Sequence, residues 1–227
     1  IELPHSTLSI PSFMATWPDT PRGTDIKEWL GSTSWYAETA IHLTPSDFKA
    51  FAPRLANAHT PIELTSKVYG LEECINVPQL NINNNGSLNL SAKLFINDYI
   101  NTPEYTLEIN RLQTNARLQH YITQELNGQA KEISPILTRL DTVNLSGQVR
   151  FSKESQSATL NLNNRLAGIR ISSSARNWNQ FKANITSPKI DLAKLLSDNG
   201  RHTLNHTSLD ISASGVLKDK NGKPHIN

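Results

Sequence analysis

A single cysteine, Cys74, stands in the whole sequence. That excludes a disulfide framework within the chain and any multi-cysteine metal site. Charge of one sign is lacking too: 22 Lys+Arg face 20 Asp+Glu, a net charge of +2. No strong field draws the chain to nucleic acid, and no nucleic-acid partner is expected. No apolar run reaches the ~18 residues that a membrane-spanning helix needs. A basic segment followed by an apolar one, as in a secretory leader, is also missing. The hydrophobic fraction of 37% is thin beside the ~45–50% of ordinary domains, although that range also counts glycine. There is no glycine-rich phosphate loop and no nucleophile elbow. The sequence begins at Ile1 in a strand-like pattern and reads as a segment of something longer.

Asparagine is what the chain has in plenty, with 23 residues. Asn is poor in helix interiors and good in turns and on solvated strand faces. Abundant Asn, Ser and Thr with few charges point to β-structure with an uncharged polar outer face, or to drift in an AT-rich genome.

Residues 1–60 read as an irregular first segment with a short helix. Pro4, Pro11, Pro18 and Pro21 are expected to prevent any long element before Gly23. Thr39–Leu43 alternates as a strand. Thr44-Pro45-Ser46-Asp47 resembles a helix start, and Phe48, Phe51 and Leu55 at helical spacing predict a helix over 46–57. From residue 61 the period is two. Strands are expected around Ile62–Tyr69, Cys74–Ile82 (broken at Pro78), Leu88–Leu94 and Tyr105–Ile109. Asn83-Asn84-Asn85-Gly86 marks a turn. An amphipathic helix follows, from Ala116 to a stop at Asn127-Gly128. A second, with Ile133, Ile136, Leu137 and Leu140, opens at Ser134-Pro135. Strands return at Val143–Phe151, Ala158–Leu162, Ile169–Ala175 and Phe181–Ile185. Ser187-Pro188 is read as opening a helix with Ile190, Leu192, Leu195 and Leu196. A last strand runs Leu209–Leu217.

These blocks repeat. The strands at Leu64, Leu145 and Leu209 correspond, as do those at Leu90 and Ile171, and those at Leu107 and Ala183. The unit is four antiparallel strands and a helical crossover, which gives 1–60, 61–141 and 142–227 as the divisions. The last holds the second unit and the start of a third. Stacked repeats of this kind suit a segment of a longer array.

The strings at Leu140–Val149, Leu166–Ser172 and Ile185–Leu196 resemble the AsmA superfamily, in particular TamB-like translocation and assembly modules of Bacteroidota. The resemblance covers about residues 60–227, with Ser66 in the first copy where the second has Gly147. It implies a mainly β fold with a few short helices, in which repeated antiparallel sheet units curl into an open groove. It also implies a periplasmic part of an inner-membrane-anchored envelope protein. There the groove shields phospholipid acyl chains between the membranes, or serves assembly of outer-membrane proteins with a β-barrel partner.

The residues agree with a groove: one sheet face is apolar, and the helices are too few to cover it. Leu64, Leu90, Val143, Leu145, Val149, Leu160, Leu162, Ile169, Ile171, Leu209 and Ile211 are expected to line it. The competing reading is a closed β-solenoid or sandwich acting as a surface adhesin or scaffold. No enzyme chemistry, cofactor or metal is expected. His202 and His206 have helical metal spacing, but Asn199-Gly200 places them in a loop or strand. Glu72-Glu73 would point to opposite faces of a strand. Cys74 is read as a buried structural thiol. Trp17, Trp29, Trp35 and Trp178 are read as packing residues rather than a carbohydrate platform.

Overall fold

The computed structural model describes residues 3–17, 32–51, 60–85, 87–115, 139, 142–177, 179–191, 193–194, 207–216 and 225–226. They form two compact units, Ile1–Asn110 and Arg111–Asn227. The first unit holds β1 (Thr7–Thr16), β2 (Ser34–Leu43), β3 (Ile62–Leu71), β4 (Cys74–Asn84), β5 (Leu88–Asn97) and most of β6 (Glu104–Thr114). The second holds β7 (Val143–Phe151), β8 (Ser155–Asn163), β9 (Ala167–Arg176), β10 (Gln180–Ile190), β11 (Thr207–Val216) and β12 (His225–Ile226). Within each unit the strands lie side by side in chain order, and every described register is antiparallel. Neither unit closes on itself among the described residues. The fold is therefore mainly antiparallel β in an open sheet, as the two-residue period requires.

The repeat has local structural marks. Glu73 directly precedes β4 and Glu154 directly precedes β8. The Glu73 carbonyl accepts the Tyr99 amide at 3.0 Å, and the Glu154 carbonyl accepts the Asn177 amide at 2.7 Å. Asp98 directly follows β5 with φ 47°, and Asn177 directly follows β9 with φ 50°. Each copy thus ties its first hairpin turn to its third. Both tied turns place Asp or Asn at positive φ, where their short polar side chains are tolerated. In the first copy the Asp98 carboxylate also accepts from the Asn101 and Thr102 amides, each at 3.1 Å, and from the Thr102 hydroxyl at 2.6 Å.

Five expectations are corrected. Residues 7–16 form the ten-residue strand β1 despite Pro11. The segment 1–60 is therefore not irregular throughout. The reason is a bulge: Ser9 to Ser12 on β1 spans three steps against two from Ala40 to Glu38 on β2. The same device absorbs Pro78, where β4 takes three steps from Val77 to Leu80 against two on β5. It also absorbs Pro188, where β10 takes three from Ser187 to Ile190 against two on β11. Proline has no amide to give to a ladder, and a bulge supplies a residue that the ladder does not use. Hence β4 is continuous, and Ser187-Pro188 continues a strand rather than opening a helix. Helical backbone appears only at Ala193–Lys194, among the described residues there.

The expected helix at 46–57 is a single 3-10 turn, Pro45–Phe48; residues 52–59 lie outside the described residues. Its Asp47 ties the start of β1 to the end of β2. The carboxylate accepts from the Ser6 hydroxyl at 2.7 Å and the His5 amide at 3.0 Å. The Glu72-Glu73 pair sits in the exposed β3–β4 turn, not on a strand. The expected helix at 116–127 lies outside the described residues. So does the one at 133–140, except Arg139, which is helical.

Candidate apolar sheet face

Directly opposed residues of an antiparallel pair share one sheet face. The registers therefore sort every strand into two sets. In the first unit, Leu8, Ile41, Leu64, Ile82 and Leu90 fall in one row across five strands. In the second unit, Leu160, Ile171, Ile185 and Ile211 form a row across β8–β11, and Leu145, Leu162 and Ile169 another across β7–β9. The Leu160 row meets β7 at Gly147, whose φ is +144°. A Cβ there would lie 2.1 Å from the Thr159 carbonyl oxygen. The glycine lets β7 approach β8 at that point.

The opposite face is polar. Gln148, Thr159, Ser172, Asn184 and Ser212 share a row, with Ser146, Asn161, Arg170, Thr186 and Asp210 beside it. In the first unit this face carries Glu38, which pairs with Lys67 at 3.2 Å, and Lys93, which pairs with Glu108 at 3.4 Å. His42 pairs with Glu63 there as well. Tyr36 donates its hydroxyl to Glu38 and packs on Tyr69, ring centroids 4.7 Å apart. The Glu38 hydrogen bond, desolvation and nearby negative charge push the Tyr36 phenol up to about 12. Hydrogen bonds from Tyr36 and then Lys67 hold the Glu38 carboxyl below its ordinary value, against an opposing desolvation.

All the groove candidates named from sequence lie on the apolar faces. Most are half-buried: Leu64 on β3, Leu90 on β5, Val143, Leu145 and Val149 on β7, Leu160 and Leu162 on β8, Ile169 and Ile171 on β9, and Leu209 on β11. Ile211 is 46% exposed. Val149 stands opposite Ala158. Leu209 stands opposite Ser187, whose side chain is fully buried with its hydroxyl unpartnered. Val143 and Ile169 pack against the small cluster of Leu166, Ala167 and Ile190.

A packed sandwich would bury these rows. Among the described residues half of the buried hydrophobics are alanines, and the largest side chain that is fully buried is Ser187. No second layer covers either unit there.

Sequence reasoning missed Leu8 and Phe13, which extend the apolar face onto β1, because Pro11 hid the strand. It also missed Ile185 and Ile82 as row members, although their alternation was legible. Ser66 and Thr39 are polar residues on this face, and their hydroxyls bond each other across the strand pair at 2.7 Å. Cys74 is half-buried rather than buried, and its thiol donates to the Asn97 side-chain oxygen Oδ1 at 3.3 Å. Trp35 lies against Gly70, while Trp17 is 56% exposed. Trp29, Trp178, His202 and His206 lie outside the described residues. Among the described residues no cluster of three metal-ligating side chains occurs. No described helix is long and apolar enough to cross a membrane.

The fold and the face together define an open antiparallel sheet with one apolar side and one polar side that also carries the charged residues. No family model matches the chain, and neither a curated protein nor a solved structure matches it.

Proposed function

We propose that the chain is a non-enzymatic part of a cell-envelope protein whose apolar sheet face carries phospholipid acyl chains between inner and outer membrane. Its place would be the periplasm, within a protein anchored in the inner membrane. One observation carries the reading: half-exposed aliphatic rows cross several strands on one face, while the opposite face is polar. A methylene transferred from water to such a face gains up to ~0.8 kcal/mol. An acyl chain therefore needs a continuous apolar stripe and no specific polar contact. The alternative role under the same resemblance, outer-membrane protein assembly, uses the same face on a nascent strand.

The test places photocrosslinking side chains at Leu145 and Ile171 on the apolar face, and at Ser146 and Ser172 on the polar face. With phospholipid vesicles, lipid adducts are expected at the first pair only. Adducts in equal yield on both faces, or none at any apolar-face position, would sink the reading.

A further inference from the structure

The polar faces of the two units treat charge differently. On the first, the cations are neutralised in place: Lys67 pairs with Glu38 and Lys93 with Glu108. On the second they are not. Arg150 on β7, Arg170 and Arg176 on β9, and Lys182 and Lys189 on β10 are all exposed. The registers place all five on the polar face. Arg150, Ser157, Ser174 and Lys182 share one row. Arg176 stands opposite Gln180, Arg170 opposite Thr186 and Lys189 opposite Gly168. None of the five forms an ion pair with another described residue. The strands β7–β11 carry one acidic residue, Asp210. It lies two strands from Arg170 in the same row.

The usual structural reasons for such cations are missing. Lysine and other charges guard exposed sheet edges, but β9 and β10 are each paired on both sides. Opposite charges stabilise a sheet when they face each other across strands. Here the facing residues are Ser, Thr, Asn, Gln or Gly. The like charges therefore repel one another without local compensation. The patch is broad. Arg150 to Lys182 is three strand steps, roughly 14 Å at about 4.8 Å each. Between the cations runs the row of Gln148, Thr159, Ser172 and Asn184. No apolar side chain occupies this face on β7–β10.

The complement of this surface is a polyanion that is also rich in hydrogen-bonding groups. A nucleic acid or an anionic bilayer would engage the cations through phosphates. The face offers no aromatic platform for bases, and the rows between the cations would go unused. We propose that the polar face of the second unit binds an anionic polysaccharide, a sugar chain bearing carboxylates. The guanidinium and ammonium groups take the carboxylates in charge-assisted hydrogen bonds. The Ser, Thr, Asn and Gln rows take the sugar hydroxyls. The inference does not depend on what the apolar face carries.

The test titrates the immobilised full chain at low salt with polygalacturonate, neutral dextran, polyglutamate and phosphatidylglycerol vesicles, read by biolayer interferometry. Polygalacturonate is expected to bind, and added salt to weaken it. Dextran is expected not to bind. Arg150→Gln combined with Lys182→Gln is expected to weaken polygalacturonate by about tenfold or more. Lys67→Gln combined with Lys93→Gln makes the same change of charge on the first unit and is expected to leave binding unchanged. All four residues are exposed, so both variants should keep the circular dichroism of the parent. Equal loss in the two variants would overturn the assigned face, leaving only net charge. Polyglutamate or vesicles held as tightly through Arg150 and Lys182 would overturn the polysaccharide as occupant. Equal binding of dextran would overturn the role of the cations. No binding of polygalacturonate at low salt would overturn the site itself.

Discussion

Trp35 and Gly70 face each other across β2 and β3, and the indole fills the space that a side chain at Gly70 would take. A Cβ there would lie 2.0 Å from the indole nitrogen. Gly70→Ala is therefore expected to cost about 1–3 kcal/mol by overpacking. In a Trp35→Ala background the same change should be nearly neutral, since the clash is gone. A double-mutant cycle in urea measures that coupling. Gly147→Ala has no such rescue. Its obstacle is the Thr159 backbone, and its φ is one that L-residues avoid. The expected cost is about 1–3 kcal/mol or more in any background.

Tyr36 gives a residue-scale test by pH. Its folded-state value is raised to about 12. Its contribution is then full below the unfolded value of about 10 and fades as pH rises toward the folded one. Absorbance titration should show the Tyr36 phenol ionising late. Glu38→Gln should bring it back toward the ordinary range. At the acid end, Asp98 has a lowered value, chiefly through its Thr102 hydrogen bond. Its support for the β5–β6 turn is present above the unfolded carboxylate range and lost as pH falls through the folded value. Faster amide exchange at Asn101 and Thr102 in acid would report that loss.

At the scale of elements, the proline bulges explain both what was legible in the sequence and what was not. Two-residue alternation located β3, β5, β7 and β9 because each is regular and has one apolar face. It loses β1 and the end of β10, since a proline in a regular strand leaves a ladder position empty: Pro11 reads as a break and Ser187-Pro188 as a helix start. The bulge removes the objection and also changes the parity of the strand. Ile185 and Ile190 are five apart, yet both reach the apolar face: Ile185 stands opposite Ile171 and Ile190 opposite Ala167. Were the same residues a regular strand with no bulge, Ile190 would turn to the polar side. Pro188 itself is exposed. Pro188→Ala is therefore expected to stay within about 0.5 kcal/mol. Inserting one more residue beside Pro188, where the bulge already takes up one, should cost about 2 kcal/mol or more by turning Ile190 out of its cluster. Urea midpoints of the two variants make the comparison, and equal midpoints would contradict the parity account.

For the molecule as a whole, the thin apolar fraction is spent on rows rather than on a core. The row from Leu160 to Ile211 crosses four strands, or roughly 14 Å at the usual strand spacing of about 4.8 Å. The neighbours of this row in sequence point the other way. Arg170 and Ile171 separate the two faces within one residue step. If acyl chains lie on the row, Ile171→Asp should weaken binding of a fluorescent fatty-acyl probe by about tenfold or more. Tenfold corresponds to about 1.4 kcal/mol, below the ~1.5–3 kcal/mol of a fully buried aliphatic side chain. Because Ile171 is only half-buried in the free protein, circular dichroism of the variant should remain that of a folded sheet. A closed core would instead unfold. Arg170→Ser should leave probe affinity unchanged, and so should added salt, since the charged side chains sit on the far face. Binding should also carry the negative heat-capacity change of apolar burial. Loss of affinity on adding salt or on replacing Arg170, with Ile171→Asp unaffected, would move the site to the polar face and leave the rows without a ligand.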